Sequence, residues 1–303
     1  MFNDREISCE TEDAWLAERR NGIGASDAAV ILGVSASSSP YQLWAEKVGL
    51  VEPADLSDRE WIEWGHILEP VIARVFAERT ERNVRVWPRH TIVKHSEHEW
   101  MRCTPDAMQS PLPGHGCNDY GLVEIKNVTA FKLDEWEAEP PLQYQVQIQH
   151  QMEVTGLTWG TLVALIGNNK LMWFDVERNE DFIAAMVARE TEFWRLVQEG
   201  EAPDIDGSQA TAATIRALHP VDSGETIALP ADAIAWAERL DELKGEIRER
   251  EDQRRLLENK IKAALGANTY GRFPDGSGFS YKTQERKEYT VPGGTFRVLW
   301  RVR

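Results

Sequence analysis

Asp106 closes the run Arg102-Cys103-Thr104-Pro105-Asp106, and Glu124 and Lys126 stand two apart in the later run Gly121-Leu122-Val123-Glu124-Ile125-Lys126. Side chains two apart on an extended strand point to the same face, so Glu124 and Lys126 share a face while Ile125 turns into the core. Two carboxylates and an ammonium then meet at one point. Carboxylate oxygens suit a hard cation such as Mg²⁺, and a lysine beside that ion can position or deprotonate an attacking water. The chemistry this implies is metal-assisted phosphodiester hydrolysis.

A Glu-x-Lys pair is degenerate alone, because exposed strands carry such pairs as ordinary cross-strand charge. Its setting narrows it. Pro105 stiffens the end of the first strand, and the Gly/Pro/Asn-rich stretch from Ser110 to Gly121 separates two runs that read as a hairpin. Upstream, Trp61, Trp64, Leu68, Ile72 and Phe76 recur at helical spacing and place Glu69 inside that helix as a candidate third metal carboxylate.

The elements that must position these groups follow from periodicity and breakers. Helices are expected over 11–20, 27–32, 40–49, 142–155 and 180–198, and strands over 84–87, 91–94, 101–104, 122–127, 160–166 and 171–176. Ser26, after the small-residue turn Gly22-Ile23-Gly24-Ala25, reads equally as a helix N-cap or as part of a phosphate-receiving turn. On the 142–155 helix, Gln143, Gln147 and Gln151 form one stripe with His150 beside them. Glutamine stripes are commonly solvated faces or inter-helix partners. A mixed sheet flanked by helices, α/β or α+β in class, is the architecture implied.

Five pieces in order carry a family resemblance: Arg20-Asn21-Gly22-Ile23-Gly24-Ala25-Ser26, Trp64-Gly65-His66-Ile67-Leu68-Glu69, Thr104-Pro105-Asp106, Glu124-Ile125-Lys126 and Gln147-Ile148-Gln149-His150-Gln151-Met152. Over about residues 13 to 200 the chain resembles the lambda exonuclease and YqaJ-type viral recombinase family of the PD-(D/E)xK nuclease superfamily. The resemblance implies a 5′-to-3′ exonuclease on duplex DNA ends that uses Mg²⁺, with Mn²⁺ as a substitute, and leaves a 3′ single strand for a single-strand annealing protein. It makes Asp106, Glu124, the Ile125 carbonyl and Glu69 the metal set, and Lys126 with Gln147 the groups that position water. It also places a 5′-phosphate pocket at Arg20, Ser26 and Thr104, with Arg19 the nearest alternative if the register is one step off, and it implies a homo-oligomer, a ring-shaped trimer. An endonuclease of the same superfamily and a non-catalytic DNA-binding or assembly module are the competing readings.

At 303 residues and 42% hydrophobic content, the chain can bury one sizeable core plus an extension. The expected division is a nuclease domain over 1–202, a linker over 203–231, and a long helix with short strands over 232–303. That helix either packs on the core or meets a partner, and its apolar residues look irregularly spaced. Cys9, Cys103 and Cys117 show no CxxC spacing and give no disulfide framework. His90, His95 and His98 fit no zinc pattern. The absence of a long apolar run and of a leader-like N-terminus predicts a cytoplasmic protein without a membrane span.

Charge argues the other way from DNA. The net charge is −16. Residues 225–303 hold 15 Lys and Arg against 13 Asp and Glu, which leaves 19 against 37 on residues 1–224, so the catalytic part is the acidic part. Phosphate neutralisation normally supplies most DNA affinity. A basic lining confined to the DNA path, with Arg297, Arg301 and Arg303 of the tail also available to phosphate, is the expectation that reconciles the two.

Overall fold

The computed structural model describes residues 2–53, 59–111, 120–287, 293 and 297–299. The described elements are β1 (Glu6–Ser8), α1 (Glu12–Arg20), β2 (Ile23–Gly24), α2 (Ala25–Ile31), α3 (Pro40–Lys47), α4 (Glu60–Thr80), β3 (Val84–Val86), β4 (Thr91–Lys94), β5 (Met101–Cys103) and β6 (Ala107–Gln109). They continue with β7 (Gly121–Val128), α5 (Leu142–Thr155), β8 (Trp159–Ile166), β9 (Lys170–Glu177), α6 (Glu180–Glu199), α7 (Gln209–Leu218), α8 (Ala233–Leu265), β10 (Tyr270–Arg272) and β11 (Gly278–Ser280). None of the described helices is long and apolar enough to cross a membrane. The chain divides into one compact unit over Met1–Leu218 and another over His219–Arg303.

In the first unit a five-stranded sheet runs β3-β6-β7-β8-β9. Strands β3, β6 and β7 form an antiparallel meander, α5 carries the chain over to β8, and β8 lies parallel to β7 before β9 returns antiparallel. Helix, meander, helix, strand is the order of a PD-(D/E)xK core. A second sheet, β1-β4-β5-β2, is antiparallel except where β2 pairs parallel to β5.

Strand β7 is covered on both faces, so it reads as a nearly continuous apolar run interrupted by its functional residues. Leu122 packs with Ile148 and Met152 of α5, while Val123 and Ile125 pack with Ile72, Ala73 and Phe76 of α4. Strict alternation therefore turns Glu124 toward α5. Close approach of α5 depends on Gly160 of β8, where an added Cβ would lie 2.8 Å from the Ile148 Cδ1.

Several expectations are corrected here. The hairpin partner of β7 is β6, with Ala107 opposite Val123, and not the 101–104 strand, because β5 belongs to the second sheet. Thr104-Pro105-Asp106 carries the chain from one sheet to the other, at a proline that cannot donate to a ladder. Ser26 is not a cap: Gly24 holds the N-cap position of α2, and its N–H donates to Asp27 Oδ2 at 3.0 Å. Helix α4 passes through Pro70 unbroken, but its apolar stripe splits. Ile72 and Phe76 are buried, whereas Trp61 and Trp64 are exposed. The supposed linker is helical over α7, which docks on α3 through a hydrogen bond from the Thr211 hydroxyl to Ser39 Oγ at 2.8 Å. Arg301 and Arg303, to which the phosphate-contact expectation extended, lie outside the described residues, and Arg297 donates to the His219 carbonyl at 3.4 Å.

Candidate active site

Asp106 and Glu124 come together because Asp106 Oδ2 accepts the Ile125 backbone N–H at 2.6 Å. That bond fixes the aspartate to the strand residue between Glu124 and Lys126. The Glu124 side chain is 2% exposed, and its carboxylate accepts three donors. Lys126 Nζ and Gln147 Nε2 each reach Oε1 at 2.5 Å, and Gln151 Nε2 reaches Oε2 at 2.7 Å. Lys126 Nζ also sits 5.2 Å from the centre of the Tyr144 ring.

Electrostatics follow from crowding acids into a dry place. Burial, then repulsion from Glu124, pushes the Asp106 carboxyl well above the usual range, against the attraction of Lys126. Glu69 is raised by burial and by Glu124 as well, with Arg89 and Lys126 opposing. Burial would lower the Lys126 ammonium, but Glu124 and Asp106 outweigh it and raise its pKa. The protein groups alone therefore hold Lys126 protonated. A base role for it needs an additional positive charge nearby.

Gln147 and Gln151, one helical turn apart, both reach Glu124, so the glutamine stripe of α5 faces the acids and not solvent. Sequence reading assigned Gln151 no role, although its i+4 spacing from Gln147 was the available signal. Gln149 points elsewhere, donating to the Glu177 carbonyl at 2.8 Å and accepting from the Asn179 N–H at 3.0 Å. His150 is fully buried, with Nδ1 2.8 Å from Glu190 Oε1 and Nε2 3.0 Å from the Arg102 carbonyl. It ties α5 to α6 and β5 and does not enter the site.

A cavity of about 250 Å³ opens over these groups. Ser26, Thr104, His66 and Glu69 line it, as do Arg19, the alternative to Arg20 one step along the helix, and Arg89, which the sequence did not single out. Arg20 does not line it: its guanidinium pairs with Glu52 at 2.8 Å on an exposed surface. Arg19 Nη2 instead donates to Ser26 Oγ at 3.3 Å and lies over the Trp15 ring. Adjacent helical residues diverge by about 100°, so the correction is one step in register along α1. The lining is balanced in sign rather than basic. Arg19, Arg89, Arg102 and Lys126 face Glu12, Glu69, Asp106 and Glu124, and Arg102 is already held by Glu18 at 2.6 Å.

The donor set fits a hard divalent ion that keeps part of its water shell. Among the described residues no group of three or more His, Cys, Asp or Glu is gathered tightly enough to enclose a metal, so Glu69 does not complete a ready-made three-carboxylate cluster. Mg²⁺ commonly binds through one or two carboxylates, with waters and substrate phosphate filling the rest. Half-buried Asp106 and buried Glu124, sharing too little positive charge, and the buried Gln151 Oε1 without a hydrogen-bond partner, suit such an ion. Burial pushes the Cys103 thiol far up, so beside these carboxylates it stays neutral without a metal.

Residues 14–158 match the family model described as a YqaJ-like viral recombinase domain. A Bacillus subtilis (strain 168) protein that carries the name Uncharacterized protein YqaJ is 34% identical over 269 residues, covering 86% of this chain and 80% of that protein. Among solved structures, the alkaline exonuclease LHK-Exo from Laribacter hongkongensis superposes with a TM-score of 0.49 at 20% identity, over 63% of this chain and 94% of that one. A phage related exonuclease from Haemophilus somnus 129PT gives 0.43 at 10% identity, over 59% of this chain and 96% of that one.

Proposed function

The chain belongs to the YqaJ-like viral recombinase family, and from that premise we propose that it is a Mg²⁺-dependent exonuclease, with Mn²⁺ as a substitute, that degrades duplex DNA ends 5′ to 3′. The remaining 3′ single strand would pass to a single-strand annealing protein in the cytoplasm of a bacterial or phage-infected cell. The observation that carries this reading is the pair of half-buried Asp106 and buried Glu124, joined through the Ile125 amide and edged by Lys126 and two glutamines.

In this reading Asp106, Glu124 and the Ile125 carbonyl hold the ion, with Glu69 at the cavity wall. A bound divalent cation would supply Lewis-acid polarisation of a phosphodiester oxygen. Gln147 and Gln151 lock the Glu124 carboxylate by donating to its two oxygens, which fixes the oxygens without adding charge. Lys126 orients the attacking water and, once its proton is disfavoured, can accept one from it. Arg19, Ser26 and Thr104 hold the terminal 5′-phosphate, because a guanidinium and two hydroxyls satisfy phosphate oxygens with charge-assisted and neutral hydrogen bonds.

End-labelled linear duplex and covalently closed duplex, each with and without Mg²⁺, test the proposal. Mononucleotide release from the 5′-labelled strand of linear DNA only, and only with the ion, is expected. Cutting of the closed circle would make the protein an endonuclease, and inertness on every substrate would leave a binding module.

A further inference from the structure

Helix α8 is 33 residues long, and among its residues only Leu265, its last, is buried. Trp236, Leu240, Leu243 and Ile247, then Leu257, Ile261 and Ala264, fall on alternating four- and three-residue steps once Arg250 and Arg254 are counted in the same series. That is an unbroken a/d heptad seam. The two arginines are why the apolar spacing looks irregular in the sequence. Trp236 is 63%, Ile247 57% and Leu257 59% exposed, so among the described residues of its own unit the seam has no cover. Acidic and basic residues on the other faces bond within the helix, as in Arg239 to Glu242 and Glu246, and Arg255 to Asp252.

We propose that α8 pairs with α8 of a second copy of this chain as an antiparallel coiled coil. The charge pattern selects both the occupant and the direction. In a parallel pair Arg250 and Arg254 would each face their own copies in the seam, and the flanking positions would set Arg239 against Lys244 and Glu246 against Glu251. All of these are like-charge contacts. In an antiparallel pair with Ile247 opposite Arg250, the layers become Trp236 with Ile261, Leu240 with Leu257 and Leu243 with Arg254. No two arginines then meet in the seam, and arginine stems can cover the apolar partner while their heads reach water. Lys244 now flanks Glu251 twice, once on each side of the two-fold axis, against one repeated like pair, Arg239 with Lys260. The seam spans roughly 40 Å at 1.5 Å per residue.

Disulfide trapping in the full-length protein reads out pairing and direction together. A mixture of Leu240→Cys chains and Leu257→Cys chains should form a 240 to 257 disulfide between chains, identified by peptide mass spectrometry so that native cysteines are not confused with it. Leu240→Cys chains alone should form no 240 to 240 link, because the antiparallel register holds those positions more than twenty ångströms apart, about 17 rises of 1.5 Å. Leu240→Glu/Leu257→Glu should halve the mass measured by sedimentation while the far-ultraviolet spectrum keeps its helical signature. A 240 to 240 link would overturn the direction. A purified wild-type chain whose mass is unchanged by the double glutamate variant, with no 240 to 257 link, would overturn the pairing.

Discussion

Lys126 sits between two carboxylates and is held charged by them, so its chemistry is borrowed from what else enters the cavity. Asp106→Asn, Glu124→Gln and Lys126→Ala should each reduce cleavage by at least about a hundredfold, in the range typical of lost acid–base or metal-holding groups. Circular dichroism should show the fold retained, because the two carboxylate changes are isosteric and Lys126 lies outside the buried core. These residues were legible because strand alternation alone puts Glu124 and Lys126 on one face, and Gln147 because its motif follows in order. Arg20 was misplaced because nothing in the run Glu18-Arg19-Arg20 says which of two adjacent arginines faces inward; that is decided by the Ser26 hydroxyl and the Trp15 ring. The pocket as now placed predicts that Arg19→Ala erases the preference for 5′-phosphorylated over 5′-hydroxyl duplex. The loss of a charge-assisted bond is worth about 1.5 to 3 kcal/mol, or roughly ten- to a hundredfold in rate. Arg20→Ala should leave the preference intact, and competition between the two labelled duplexes measures it.

At the level of elements, helix α5 and strand β4 appear within the bounds their periodicity gives, and β7 to within a residue at either end. Strands β1, β2 and β6, two or three residues long, were not read from the sequence, although β3 and β5, no longer than three residues, were. Missing β6 is what turned β5 into a false hairpin partner. The contact between α5 and α6 was likewise unreadable: only the fold brings His150 and Glu190 together, both without solvent exposure. Burial alone would lower the His150 pKa, but the Glu190 carboxylate and the Arg102 carbonyl overcome it and raise the value above the ordinary 6.5. A histidine so raised contributes its full stabilisation below about pH 6.5 and loses it as pH climbs through the raised folded value. Wild-type protein should therefore lose urea stability as pH rises through the raised value, followed from pH 6 to pH 9. Glu190→Gln should be less stable at pH 6 and show a flatter dependence. Chemical denaturation across that interval, as a difference between the two proteins, makes the measurement independent of other titrating groups.

For the molecule as a whole, the boundary of the catalytic unit lies after α7, at Leu218, and not before it. A chain ending at Leu218 should keep cleavage and cooperative melting. One ending at Gly200 should melt lower by several degrees, since it strips the α7 partner from Ser39 and the loss of about 1 kcal/mol shifts a domain of this size by about 2–4 °C. The length of the extension and its long helix were evident from composition, whereas the end of the first unit was hidden in a stretch of small and polar residues that resembles a tether. Across that unit the cavity is shared between two sheets. Glu124 and Lys126 stand on β7 of the five-stranded sheet, and Thr104 follows β5 of the other. In the proposed function, the span from the terminal phosphate to the scissile bond would therefore be set by how those sheets stack through Met101, Leu122 and Ile148. Under the proposed function the protein would carry a ruler whose two marks lie on separate slabs, and the length of each excised piece would be a property of the packing between the slabs.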